Sequence, residues 1–187
     1  MKKLFIIALA AFAAFTAEAQ QLGKVNFQEL VMLMPEMDAA RETMAASQKE
    51  AEETYASMVE EYQGKATQYQ QKSASWTAAI KESKEKELMD IQNRIQEFQQ
   101  SISQELQQQQ SQLTAPIQEK ANKAVTEIAK AKGITVLFDA TQAIYFDENA
   151  VVDLTADARK ALNIPEGRTL ESLQAELQAQ AQQAAQK

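Results

Sequence analysis

The sequence predicts an α+β fold that is mostly α: a long antiparallel helical hairpin projecting from a small β body that oligomerises. Three observations predict it. Residues 35–132 read as helix, with one glycine (Gly64) and one further proline (Pro116) among Ala, Glu, Gln, Lys and Met, residues that lose little freedom in a helix. Apolar residues inside that stretch recur three and four apart, which makes one stripe on each helix. Alternating, β-like sequence stands at both ends of it, in about 35 residues altogether, fewer than the ~40 at which isolated domains usually need disulfides, metals or partners.

The elements follow in order. Residues 1–19 read as an export signal. Lys2 and Lys3 precede an apolar run from Leu4 to Phe15, and Ala17-Glu18-Ala19 supplies a small-x-small cleavage pattern, so cleavage is expected after Ala19. The β body is expected from 20–34 and 133–163. Lys24 to Phe27 is its first strand, and Gln28 to Met34 gives one or two helical turns. Pro35 suits the first turn of the next helix, where Glu36 and Asp38 meet the positive end of the dipole. The arm spans 35–132.

Its first helix carries two interleaved series seven residues apart: Met37, Met44, Ala51 and Met58, then Tyr55, Tyr62, Tyr69 and Trp76. The tip is expected near 72–80. The second helix carries Leu88, Ile91, Ile95, Phe98, Ile102 and Leu106, then Leu113, Ile117, Ala121, Val125 and Ile128. Pro116 removes a backbone bond and predicts a kink. Each seam is too narrow to bury itself, and two antiparallel helices cover both.

Gly133 stands where a helix C-cap is expected. Beyond it the period changes to two: Ile134, Val136 and Phe138 on one face, Thr135, Leu137 and Asp139 on the other. Ile144-Tyr145-Phe146 and Val151-Val152 read as further strands. Thr155 is expected to cap a helix over 156–162, broken by Pro165-Glu166-Gly167. Residues 164–187 form an Ala/Gln-rich tail with Leu170, Leu173 and Leu177 on one face.

Composition narrows the function. The chain has neither Cys nor His, which removes thiol nucleophiles, His general bases and most zinc sites. There is no Gly-rich phosphate loop. Catalytic, cofactor and metal residues are therefore assigned to none. Without Lys2, Lys3 and Glu18, the 19 basic and 26 acidic residues become 17 and 25, a net charge of −8. That argues against nucleic-acid binding, and no segment after the signal is apolar enough for stable membrane insertion. A body of so little sheet, without disulfides or zinc ligands, points to strands pooled from two or three copies with all arms on one side.

These residues also carry a resemblance. The signal, Lys24-Val25-Asn26, the helical hairpin with Pro116-Ile117 and Lys120, Gly133 to Asp139, Ala143 to Phe146 and Asp153-Leu154-Thr155 resemble, in order and spacing, the Skp/OmpH family of periplasmic chaperones over roughly residues 22 to 163. The resemblance implies a jellyfish-shaped homotrimer whose β-barrel body bears three hairpin tentacles around a cavity. It implies a periplasmic, ATP-independent holdase for unfolded outer-membrane proteins. The best-known members are strongly basic and this chain is acidic, so no lipopolysaccharide site is carried over.

The oligomer core is assigned to Val25, Phe27, Ile134, Val136, Phe138, Ile144, Phe146, Val151 and Val152. The plain reading of Met58, Tyr62 and Tyr69 is packing on the second arm. With Trp76, near the tip, they are also the candidate client contacts. The rival class is a structural coiled-coil scaffold or adaptor of the cell envelope.

Overall fold

A computed structural model describes residues 21–185, and the expected export signal with its expected cleavage site lies outside them. The elements are β1 (Gln21–Val25), α1 (Phe27–Leu33), α2 (Pro35–Lys72), a 3₁₀ turn (Ser73–Ser75), α3 (Ala78–Ala131), β2 (Ile134–Asp139), β3 (Val151–Asp153), α4 (Thr155–Ala161) and α5 (Leu170–Ala185). The chain is mostly helical with one small sheet. It divides into two compact units: one runs to Met34 and resumes at Glu119, the other is Pro35–Gln118.

In the first unit the sheet order is β2-β1-β3, and both pairings are parallel. The first strand ends earlier than the sequence reading has it. Asn26 leaves strand geometry to cap α1: its Oδ1 accepts from the Glu29 backbone N–H at 3.2 Å, and its Nδ2 donates to Glu29 Oε2 at 2.7 Å. This is a side-chain N-cap, with the Asn26 backbone N–H donating to Thr155 Oγ1 at 3.3 Å, and Phe27 therefore opens a helix. The core gathers Val25 from β1, Leu30, Val31 and Leu33 from α1, and Met34 after it. Ala121, Val125 and Ala129 of α3, Leu154 and Ala158 around α4, and Leu162, Ile164 and Leu173 complete it.

Three further expectations for this unit are corrected. Ile144-Tyr145-Phe146 is no strand. Ile144 is fully exposed and Tyr145 is 86% exposed. The 140–150 connection instead folds on local bonds. Asp139 Oδ1 accepts from the Thr141 N–H (2.9 Å) and Asp147 Oδ1 from the Asn149 N–H (2.9 Å), side-chain bonds that compete with a ladder.

Nor does Ile134 keep company with Val136 and Phe138. The pairing skips a residue between Gln21↔Ile134 and Leu22↔Val136, a bulge that re-aims one side chain. Ile134 lies over Gly23 together with Leu137. A Cβ on Gly23 would stand 2.9 Å from Ile134 Cγ2 and 3.2 Å from Leu137 Cδ1.

Thr155 is the first residue of α4 and not its cap. Asp153 supports that turn, its Oδ1 accepting the Thr155 N–H at 2.8 Å. The helix stops before Pro165 because Asn163 takes a left-handed conformation (φ 55°). The Asn163 N–H bonds Lys160 O and the Ile164 N–H bonds Arg159 O, while Ile164 is buried, a C-cap that Asn tolerates. Gly133 ends α3 in the same way at φ 69°.

In the second unit α2 runs through Gly64 and ends at Lys72. A 3₁₀ turn follows, and the chain is extended at Trp76 (φ −92°, ψ 150°) before α3 begins. Ser47 pairs with Gln109, Glu61 with Arg94, Lys65 with Glu87 and Tyr69 with Glu85. As numbers rise along α2 they fall along α3. Ala40, Ile91 and Ile117 are buried, and most of both apolar series is half-buried. A layer two helices thick cannot enclose its seam.

Candidate functional site

Two kinds of surface stand out, one in each unit. The first is the sheet. Leu22 pairs with Val136 on one side and Val151 on the other, which puts these three on one face. Leu22 and Val152 are exposed, and Val136 is 51% exposed. Among the described residues β2 and β3 each pair only with β1, so there their outer edges carry unpaired backbone groups beside apolar side chains. Edges of that kind invite further pairing.

The residues assigned to the oligomer core divide into groups. Val25 is already covered by its own chain. Phe27, Ile134 and Val151 are half-buried. Phe138 and Phe146 meet edge-to-face with centroids 5.4 Å apart, and Lys24 Nζ lies 4.9 Å from the centre of the Phe146 ring. Val136, Ile144 and Val152, with Tyr145, which the sequence reading left out, remain open.

Sequence reasoning missed Lys24 as a hub. Its ammonium bonds Glu148 and stands 3.6 Å from Asp153. The Glu148 bond raises its pKa, against desolvation that lowers it. Burial works to raise the Asp153 carboxyl, but bonds from Thr155 and Lys24 outweigh it and hold it below the usual range. Lys132 does the same for Asp157 by a direct bond. These pairs join segments far apart in the sequence. Among the described residues no group of three or more acidic residues could hold a metal ion.

The second surface lies on the helical unit. Trp76 is half-buried rather than bare, covered in part by Tyr69, whose ring meets it edge-to-face at 5.7 Å. The Tyr69 hydroxyl donates to Glu85, and that bond raises its pKa. Met58 and Tyr62 are half-buried. Below them two grooves flank Ala51, of about 410 and 380 Å³, sharing a floor of Ala51, Phe98, Ile102 and Leu106. The first is rimmed by Ser47, Glu50, Thr54, Glu105 and Gln109. The second is rimmed by Gln48, Glu52, Tyr55 and Gln99. The signal for them was in the sequence, since Ala51 is the one short member of the Met37, Met44, Met58 series.

Glu87 braces the same helices. Lys65 bonds it from α2 and Lys84 from α3 (2.8 Å), and together they lower its pKa from 4.5 to about 2. A depressed carboxylate stabilises above its ordinary value and loses that contribution as pH falls. Lys65 is raised above 10.5, chiefly by the same bond, so its contribution is complete below that value and fades above it. Acidification from 4.5 toward about 2 should therefore lower the melting point more in the wild type than in Glu87→Gln. Melting followed by helical ellipticity at both ends of that range measures the difference, and equal losses would show the brace to be idle.

The chain is mostly helical, with long helices and a small parallel sheet. Among the described residues no helix is long and apolar enough to cross a membrane. A family model described as outer membrane protein (OmpH-like) matches residues 21–162, and the chain belongs to that family. At the family level these are periplasmic chaperones of outer-membrane proteins, not enzymes. None of the curated proteins compared with the chain matches it.

Proposed function

We propose that this chain is an ATP-independent periplasmic holdase that keeps unfolded outer-membrane proteins from aggregating. In this reading residues 1–19 are removed on export. Residues 20–34 and 133–163 form the body, and 35–132 fold into a hairpin arm that turns near 72–80. Three copies pool their strands into a barrel, and the arms enclose a cavity for the client.

The observation that carries the reading is the unsatisfied sheet. Among the described residues its two outer edges are unpaired, and its Val136 and Val152, with Ile144 and Tyr145 of the connection between β2 and β3, are open to solvent, which is costly in a lone chain and natural in a shared core. The falling order of the cross-helix pairs supports the hairpin. The half-covered seams supply adaptable apolar surface, with Met and Tyr able to fit varied partners. Trp76, Tyr69, Tyr62 and Met58 are the proposed client contacts.

The test is dilution of an outer-membrane barrel protein from urea into buffer containing the purified protein and no nucleotide. The expected result is suppressed turbidity. A scaffold or adaptor would leave turbidity unchanged.

A further inference from the structure

The helical seam has a gap written into it. Met37, Met44 and Met58 hold the heptad position at which Ala51 ends with a single methyl. Phe98, Ile102 and Leu106 of α3 line the space left open beside it. A side chain missing from a packed seam leaves a hollow that its neighbours close only in part. At about 410 Å³ the hollow falls in the range of small binding clefts, roughly 300–1,000 Å³.

Its rim is acidic and unmatched. Glu50 and Glu105 line it and are exposed, no Lys or Arg lines either groove, and neither acid forms an ion pair among the described residues. By contrast Glu61 and Glu87, farther along the same helices, each hold a basic partner.

We propose that the groove beside Ala51 is a client subsite for a bulky apolar side chain flanked by Lys or Arg in an extended, unfolded segment. The proposal rests on the holdase reading and adds to it a preference for basic sequence. In an extended strand successive side chains diverge, at ~3.3 Å per residue. One apolar side chain enters the floor while its cationic neighbours reach the rim on long apolar stems. A second copy of this chain is the poorer occupant, because its net charge of −7 meets an acidic rim.

The experiment uses the full chain and two labelled peptides of equal length, one alternating leucine with lysine, the other leucine with glutamate. Fluorescence anisotropy gives the affinities. The wild type should bind the lysine peptide about tenfold more tightly, the order expected from two partly exposed charge pairs. Ala51→Met restores the heptad series and fills the hollow, so it should weaken both peptides about tenfold with helical ellipticity unchanged. Glu50→Gln with Glu105→Gln should reduce the preference to within about twofold. Glu60→Gln with Glu82→Gln removes the same charge outside the groove and should preserve it.

Equal wild-type affinities would overturn the proposal. So would full binding by Ala51→Met, or a preference that survives in the Glu50/Glu105 variant. A change in oligomeric mass on Ala51→Met, without loss of peptide binding, would assign the groove to another copy. Should Ala51→Met fail to fold, the two exposed-glutamate variants still decide. The holdase reading stands or falls separately, on whether the wild type suppresses turbidity at all.

Discussion

Val136→Asp should leave the single chain folded and stop it assembling. Val136 sits on an edge strand, in line with Leu22 and Val151, and is 51% exposed within its own chain. A carboxylate there stays hydrated while the chain is alone. In a shared barrel the same carboxylate would be buried without a partner, at a cost of several kcal/mol. The expected result is the mass of one chain by light scattering at micromolar concentration, with helical ellipticity unchanged and suppression of client aggregation largely lost. Phe138→Asp is the less informative change. Phe138 already packs on Phe146, so a charge there would damage the chain itself before any assembly was tested. A Val136→Asp protein that keeps the wild-type assembled mass would remove the sheet from the interface and leave the barrel without its main physical argument.

How much of this was legible depends on where local signals decide the outcome. Two ends of the long helices are set by punctuation: Pro35 and Gly133 each act through backbone geometry that one residue controls. The seams were legible because helical period shows in spacing alone. The sheet was less so. Ile144-Tyr145-Phe146 has strand composition, yet Asp139 and Asp147 fold the ends of its connection on local side-chain bonds in place of a ladder. The bulge between Ile134 and Val136 arises from pairing with a strand more than a hundred residues away, and no local pattern encodes it.

The site shows the same division. The residues of the Met and Tyr stripe could be named, but the groove beside Ala51 depends on which residues of α3 lie opposite. Lys24 looked like an ordinary strand lysine until Glu148, Asp153 and Phe146 were brought around it.

Ending the chain after Asn163 should destabilise the first unit by about 3–6 kcal/mol, taking Ile164 and Leu173 as two buried aliphatic side chains worth ~1.5–3 kcal/mol each. The family match stops at residue 162, and the sequence alone leaves the tail as either a loose skirt or an added helix. Its placement argues for a structural part. Ile164 is 6% and Leu173 3% exposed, and α5 contacts α1. Arg159 ties the connection down, with Nη1 donating to Glu29 Oε1 at 3.2 Å and Nη2 donating to the carbonyls of Pro165 and Arg168. Truncation removes both carbonyl acceptors and uncovers the apolar surface beneath Leu173. The sheet supplies little burial to compensate, since its strands are short and partly open. A loss of that size would be a large share of the ~5–15 kcal/mol that holds a typical domain folded. Thermal melting should show the early loss of one transition, and hydrogen exchange should show α1 amides losing protection while those near Ile91 keep theirs. Unchanged melting and unchanged α1 protection would make α5 an appendage, and the first unit would then have to stand on the family-matched residues alone.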